Sequence, residues 1–243
     1  MMFDWNVEKI RFFRDAAEFT PFHENLAAQI LPCLTGKDTI CDAGCGLGYL
    51  SLALAPHCGK VTAVDISAEA LRALRENKAG LRNVEVWECD VFRLGADILF
   101  DVMIFCFFGK LAELLSCAKA HCIEKVILVK RAGAFRRFSV KEVPREKDTF
   151  AEACAALDAL GIPYRCNVFP LESGQPFRSV ADAQAFFKLY SGDAVSETDI
   201  RTQLVRTQSA KFPYYLSVGQ ETGIIVIDTK DIPDSIYDNG ALI

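Results

Sequence analysis

Three glycines and an aspartate lie close together in the stretch CDAGCGLGYL, residues 41–50. Asp42 precedes Gly44 by two residues, and Gly46 and Gly48 follow at alternate positions. Glycine in such number costs backbone entropy, so we expect this turn to let a ligand approach the backbone closely. The residues after Gly48 have helical spacing, and the start of a helix offers free N–H groups to an anionic or polar ligand. The stretch therefore predicts a ligand-binding turn between a strand and a helix.

The elements that would position this turn alternate between strand and helix along the first half of the chain. Short apolar runs predict strands at 38–42, 60–67, 83–90, 100–108 and 125–131. Apolar residues at helical spacing separate these runs, which favours an α/β fold with an open parallel sheet. A sixth strand is expected at 164–172, and residues 212–230 are interpreted as a hairpin whose second arm closes the sheet.

Two other ligand-binding turns fit the spacing less well. A dinucleotide-binding turn has the pattern G-x-G-x-x-G, whose third glycine would fall where Tyr49 stands. A phosphate-binding P-loop needs a Gly-Lys-Ser/Thr sequence, which is absent from this stretch. A purely structural alternative, in which the glycines make a tight turn and nearby aspartates cap helices, stays open at this point.

The sequence DAGCGLG, residues 42–48, resembles the D/E-x-G-x-G-x-G motif of the class I, Rossmann-like S-adenosylmethionine (SAM)-dependent methyltransferases. The resemblance has motif-level support over residues 35–131 and implies SAM as cofactor and S-adenosyl-L-homocysteine as product. It implies that Asp65 holds the ribose, that Asp90 and the Val91 N–H hold the adenine, and that Ile66 packs on the adenine. In the same way it implies that the backbone carbonyl of Cys106 holds the methionine ammonium group.

The family's fold is α/β, Rossmann-like and doubly wound, with a seven-stranded, mostly parallel sheet whose last strand is antiparallel. We expect a small helical cap in addition, because the connection after the sixth strand is long and aromatic. The expected division is an N-terminal helical cap at 1–34, a SAM-binding core at 35–172 and 212–230, and a helical cap insertion at 173–211. The two caps would together cover the acceptor pocket.

The methyl-transfer step leaves few marks in a sequence, because the cofactor carries the activated group. His23 is the candidate general base, since the N-terminal helices of the family commonly lie over the substrate pocket. A histidine that merely caps or flanks a helix is the alternative. Cys106 stands near the position of a cytosine-methylating cysteine but lacks the preceding proline, so a buried strand thiol is the favoured interpretation.

Charge favours a small-molecule acceptor. The net charge is −5 and the sequence pI is about 5.3, whereas a nucleic-acid-binding domain usually presents a basic face. DNA is therefore not expected as a partner. Residues 130–147 are rich in Lys and Arg, which keeps a protein or tRNA methyltransferase open as an alternative, and a non-catalytic SAM-binding protein is another.

Cysteine usage and hydropathy suggest a reduced, cytoplasmic protein. None of the ten cysteines has zinc-ligand spacing, so we expect no metal site. The apolar runs are too short to span a membrane, the N-terminus lacks the apolar core of a secretory signal, and no membrane partner is expected. The acceptor atom and the oligomeric state are not determined by the sequence, and a homodimer stays open.

Overall fold

A computed structural model describes residues 4–36, 38–78, 80–133, 148–191 and 195–234. Most of the basic segment, residues 134–147, lies outside this range. The described residues form ten strands: β1 Thr39–Ala43, β2 Lys60–Asp65, β3 Val84–Glu88, β4 Phe100–Cys106, β5 Cys122–Arg131, β6 Arg165–Glu172, β7 Gln175–Phe177, β8 Val205–Arg206, β9 Tyr214–Leu216 and β10 Gly219–Asp228.

Seven of these strands form one sheet in the order β3-β2-β1-β4-β5-β10-β6. The first five strands of the chain run parallel to one another, and β10 lies antiparallel between β5 and β6. This confirms the predicted doubly wound, seven-stranded sheet with an antiparallel last strand. The order reverses beside β1, which puts the ligand-binding edge of such a sheet at the carboxyl ends of β1 and its neighbours.

Helices cover both faces of the sheet, which explains why its central strands β1 and β4 are mostly apolar. The described α-helices are α1 Val7–Phe19, α2 Phe22–Ile30, α3 Tyr49–Leu54, α4 Ala68–Asn77, α5 Leu111–His121, α6 Phe150–Leu160, α7 Val180–Ser191 and α8 Glu197–Gln203. Side chains of α5 and α6 pack on one face, and those of α2 and α3 pack on the other. Ser67 caps α4 as its sequence predicts, accepting a hydrogen bond from the Ala70 N–H at 3.2 Å.

The predicted hairpin at 212–230 is wrong. Strand β9 lies in a separate three-stranded sheet of order β7-β9-β8, and only β10 joins the large sheet. The insertion expected to be helical at 173–211 also contains two short strands, β7 and β8, which both pair with β9. The cap is therefore a mixed α/β unit, in which Phe177, Phe186 and Phe187 are fully buried.

Helix α1 packs against this cap through apolar and charged contacts. The Phe12 ring lies 5.0 Å from the Phe186 ring, centroid to centroid, inside the buried cluster of the cap. Asp15 is 3 % exposed and forms a bidentate ion pair with the Arg178 guanidinium, whose Nη2 lies 2.6 Å from Oδ1. Arg11 reaches Asp182 of α7 at 2.8 Å. The N-terminal helix and the insertion after β6 thus form one packed layer.

Candidate cofactor and acceptor site

The glycine turn connects β1 to α3 with three residues in the left-handed region. The φ angles of Gly44, Gly46 and Gly48 are 70°, 54° and 72°, a conformation that other residue types adopt at a cost. The N–H groups of Gly44 and Cys45 donate to the Val64 carbonyl at 2.8 and 3.0 Å, which anchors the turn to the end of β2. The predicted turn therefore lies at the carboxyl edge of the sheet.

Asp65 ends β2 and holds the turn from the other side. Its Oδ2 accepts a hydrogen bond from the Gly46 N–H at 2.8 Å, and its Oδ1 accepts one from the Ser67 N–H at 2.9 Å. The carboxylate is half-buried and keeps further lone pairs for a ligand hydroxyl. Ile66 beside it is 48 % exposed, so a large apolar side chain faces outward next to the carboxylate.

Asp90 follows β3 and caps a short 3-10 helix, Val91–Arg93, by accepting a hydrogen bond from the Phe92 N–H at 3.0 Å. Asp90 therefore has the helix-capping role that a purely structural interpretation of the motif gives to such aspartates. Its second oxygen lies 3.5 Å from Arg93 Nε. The Val91 side chain is buried, and Phe92 is 40 % exposed. The Cys89 N–H donates to the Asp65 carbonyl at 3.1 Å, so this segment adjoins the end of β2.

Asp42 is buried under the turn. Ser51 of α3 donates a hydrogen bond to Asp42 Oδ2, but burial, with a smaller contribution from the negative charge of Asp65, raises the pKa of Asp42 from 3.8 to about 6. This carboxylate is only 1 % exposed, so it supports the turn from below.

Cys106 ends β4, the neighbour of β1 on the other side. Burial raises the pKa of its thiol far above the usual range, which opposes a thiolate nucleophile there and agrees with the interpretation as a buried strand thiol. Strand order places the Asp90 segment, Asp65, the glycine turn and Cys106 side by side along one edge, at about 4.8 Å per strand.

Two aromatic residues that the sequence did not indicate lie against the turn. A Cβ added to Gly44 would meet the Phe108 ring at 2.5 Å, and one added to Gly46 would meet Trp5 at 2.7 Å. The Phe108 ring also stacks on Phe92, with centroids 5.7 Å apart and planes 15° apart. Contact with the turn could not be predicted for Trp5 or Phe108, because both residues are far from the glycine motif in the sequence.

His23 lies in an aromatic cluster above the turn. Its ring centroid is 5.3 Å from Tyr49, the residue after Gly48, and 5.7 Å from Phe13 of α1. The ring of Phe22, which adjoins it at 5.1 Å, lies 6.4 Å from Phe107 beyond the end of β4. The structure thus brings His23 to the edge of the sheet that carries the turn and the β4 loop.

The turn and its surroundings fit SAM. The glycines leave room for Phe108, Trp5 and Leu74 to pack directly on the backbone of the turn. The Asp65 carboxylate adjoins the turn, and the apolar side chains of Ile66 and Phe92 are partly exposed beside it. These are the features that a sugar, a flat base and an amino-acid moiety require together. The strand order and the position of the glycine turn are those of the Rossmann-like proteins that bind nucleoside cofactors at the carboxyl edge of the sheet.

A family model described as a methyltransferase domain matches residues 34–184, well over half of the chain. The chain therefore belongs to the methyltransferase domain family, as the resemblance predicted, and is a SAM-dependent methyltransferase by class. No sequence among the curated proteins matches it significantly.

Solved structures share the fold at low sequence identity. The YcgJ protein from Bacillus subtilis is 14 % identical with a TM-score of 0.53, and the match covers 84 % of this chain and 99 % of that one. A protein from Bacillus halodurans C-125, provisionally assigned as a methyltransferase, is 15 % identical with a TM-score of 0.53, covering 85 % and 98 %. A protein of unknown function from Deinococcus radiodurans R1 is 16 % identical with a TM-score of 0.52, covering 85 % and 86 %. These likenesses concern the fold.

The described residues were also considered as possible membrane spans and metal ligands. No helix among them is both long and apolar enough to cross a membrane. No group of three or more His, Cys, Asp or Glu side chains in the described part of the chain is placed to hold a metal ion. All ten cysteines, each within the described ranges, carry free thiols.

Proposed function

We propose that this chain binds SAM on the glycine turn and transfers its methyl group to a small-molecule acceptor. The observation that carries the proposal is the geometry of the turn, in which three glycines are left-handed, Gly46 donates its N–H to the Asp65 carboxylate, and aromatic side chains lie against Gly44 and Gly46. The cofactor supplies a methyl group already activated on a positively charged sulfur.

The residues that would hold SAM lie in order along the sheet edge. Asp65 would accept hydrogen bonds from the ribose hydroxyls, and Ile66 would pack on the adenine that Asp90 and the Val91 N–H hydrogen-bond. The Cys106 carbonyl at the end of β4 would accept from the methionine ammonium group. Asp42 would support the turn from beneath, and Gly44, Gly46 and Gly48 would let the backbone approach the cofactor.

We propose that residues 1–34 and 173–211 cover the acceptor, with residues 35–172 and 212–230 as the core. The support is the packed layer that α1 makes with the cap, and the aromatic cluster around His23 above the turn. Such a cover would align the acceptor with the methyl group and exclude water, which suits a small molecule. His23 is the proposed general base for an acceptor whose proton must leave.

The cofactor site is tested by Asp65→Ala. We expect SAM affinity in calorimetry to weaken by about 1–3 kcal/mol, because the ribose hydroxyls would lose their charged acceptor. Asp97→Ala, which removes an exposed carboxylate three residues before the amino end of β4, serves as the control and should bind SAM as the wild type does. Equal affinities for the two variants would show that the ribose lies elsewhere.

The acceptor class is tested with methyl-labelled SAM in three parallel incubations, with an ultrafiltered small-molecule extract, with total tRNA and with cell protein. We expect label in the small-molecule product. Label in tRNA or protein would replace this proposal with the corresponding alternative, and SAM binding without any labelled product would favour a non-catalytic role.

A further inference from the structure

Three polar side chains, Arg131, Thr222 and Gln220, lie on the face of the large sheet that α2 covers. They are at the same edge of the sheet as the glycine turn. Thr222 of β10 is paired in register with Arg131, the last residue of β5. Gln220 lies two residues earlier on β10, so both side chains point to the same face as Ile224 and Val226. Those two residues share a buried cluster with Phe22 of α2. The group therefore faces the α1–α2 region that carries His23.

Gln220 is buried with an unused hydrogen-bond acceptor. The side chain is 7 % exposed, and its Nε2 donates to Thr222 Oγ1 at 3.2 Å. Its Oε1 has no hydrogen-bond partner among the residues that the structure describes. A buried amide oxygen without a partner is costly, and apolar side chains such as Leu171, its partner across the strands, surround this position. Such an atom suits a ligand that brings its own donor.

The same face of the sheet carries positive charge close to Cys106, at the carboxyl end of β4. The Arg131 guanidinium lies 4.6 Å from the ring centroid of Phe107, the residue after Cys106. Both Arg131 and Lys130 are close enough to Cys106 to oppose the rise in the pKa of its thiol that burial causes. Lys130 points to the opposite face of the sheet, where its Nζ lies 2.6 Å from Asp148 and 3.0 Å from the Gly109 carbonyl. Arg131 is the cation that faces the α2 side, where a planar guanidinium can bind a carboxylate with two N–H groups.

We propose that Arg131, Thr222 and Gln220 form the acceptor subsite, and that the acceptor is a small hydroxycarboxylic acid. Its carboxylate lies on Arg131 beside the Phe107 ring, and a hydroxyl group donates to Gln220 Oε1, next to Thr222. The Arg131 and Gln220 backbones are roughly 8 Å apart by strand spacing and rise, so their side chains can reach one small molecule. This inference rests on the proposed small-molecule function and names the acceptor's class.

The test separates the extract by ion exchange at pH 7 into anionic, neutral and cationic pools before incubation with methyl-labelled SAM. We expect the acceptor activity in the anionic pool. Label confined to the neutral or cationic pool would overturn the subsite while leaving the small-molecule function intact. SAM binding without label in any pool would instead overturn the small-molecule function, and the subsite with it.

Variants then test the named residues on the purified acceptor. Gln220→Leu and Arg131→Met should each raise the KM for the acceptor at least tenfold, with the Kd for SAM in calorimetry unchanged. Thr229→Val, which alters another buried polar side chain just past the opposite end of β10, is the control and should leave both constants unchanged. A Gln220→Leu enzyme with wild-type KM would overturn the role of this residue. Thermal melting of each variant verifies that it is folded, and Gln220→Leu should melt no lower than the wild type.

Discussion

At the scale of single residues, Asp42 is the carboxylate whose environment departs most from water. It is 1 % exposed at the end of β1, and the Ser51 hydroxyl donates to it from α3. Burial nevertheless favours the protonated form, so its pKa rises from 3.8 to about 6. The folded chain therefore holds this proton more tightly than the unfolded chain does. The associated stabilisation is complete below about pH 4 and is lost as the pH rises through about 6.

We predict that Asp42→Asn removes this pH dependence. A difference of about two pKa units corresponds to about 3 kcal/mol, so the free energy of unfolding of the wild type should fall by up to that amount between pH 4 and pH 7. The asparagine variant keeps an acceptor for Ser51 and carries no charge, so it should be the more stable form at pH 7. Urea unfolding at several pH values measures this, and parallel curves for the two proteins would contradict it.

At the scale of elements, α1 connects the glycine turn to the cap. Trp5, two residues before α1, lies against Gly46, while Phe12 and Asp15 within the helix pack into the cap. Phe13 lies on another side of α1, where its ring packs against Trp5 in the aromatic cluster over the turn. A shift of the cap would therefore be transmitted to the turn by a single rigid element.

We predict that Arg178→Met lowers the free energy of unfolding by about 2 kcal/mol, because it leaves the buried Asp15 carboxylate without its main partner. The loss is smaller than for a fully buried pair, since Arg178 is partly exposed and Arg11 remains 3.5 Å from Asp15. Adding Asp15→Asn to this variant should recover part of the loss.

The matched control is Arg201→Met, which breaks an exposed pair with Glu197 at 2.7 Å and should lower the free energy of unfolding far less than Arg178→Met does, because solvent screens exposed ion pairs. Denaturant unfolding of the four proteins gives these energies. If Arg178→Met cost no more than Arg201→Met, the ion pair between α1 and the cap would contribute nothing to stability.

Elements of the parallel half could be predicted from the sequence because each is a local pattern. The strand at β4, for example, is a continuous apolar run that suits a strand covered on both faces, and the structure ends it at Cys106, where Phe107 turns to a φ of 53°. The hairpin prediction failed because β9 and β10 are consecutive extended segments separated by only two residues, a local pattern typical of a hairpin. Their pairing partners, β7 for one and β5 with β6 for the other, come from distant parts of the chain.

At the scale of the whole molecule, the candidate site also combines residues that local sequence patterns predict with residues that they do not. The positions of the motif residues from Asp42 to Asp90 could be predicted because each lies at the end of a strand or in the turn that follows it. Trp5, Phe108 and Gln220 could not, because an aromatic ring or an amide acquires a role only through the elements that fold over it. Their positions depend on how the N-terminal helix, the β4 loop and the last strand meet.

We predict that SAM protects α1 as well as the glycine turn from hydrogen exchange, because Trp5 covers Gly46. At a concentration about one hundred times its Kd, SAM should add about 2.7 kcal/mol to the free energy of unfolding. Exchange measured by mass spectrometry with and without SAM locates the effect. Asp65→Ala at the same SAM concentration is the control and should show weaker protection, whereas protection that omits residues 7–19 would contradict a covering role for this helix.

The place of β10 in the sheet also affects how the chain is made. In the large sheet β10 lies between β5 and β6. The edge of β5 that faces β6 is therefore paired only after β10 has inserted between the two strands. As a ribosome releases the chain, the hydrogen-bonding edge of β5 therefore remains open until residues 219–228 emerge. An uncovered edge of this kind is a template for pairing with other chains, so the nascent protein is exposed to aggregation through β5 until β10 has been made.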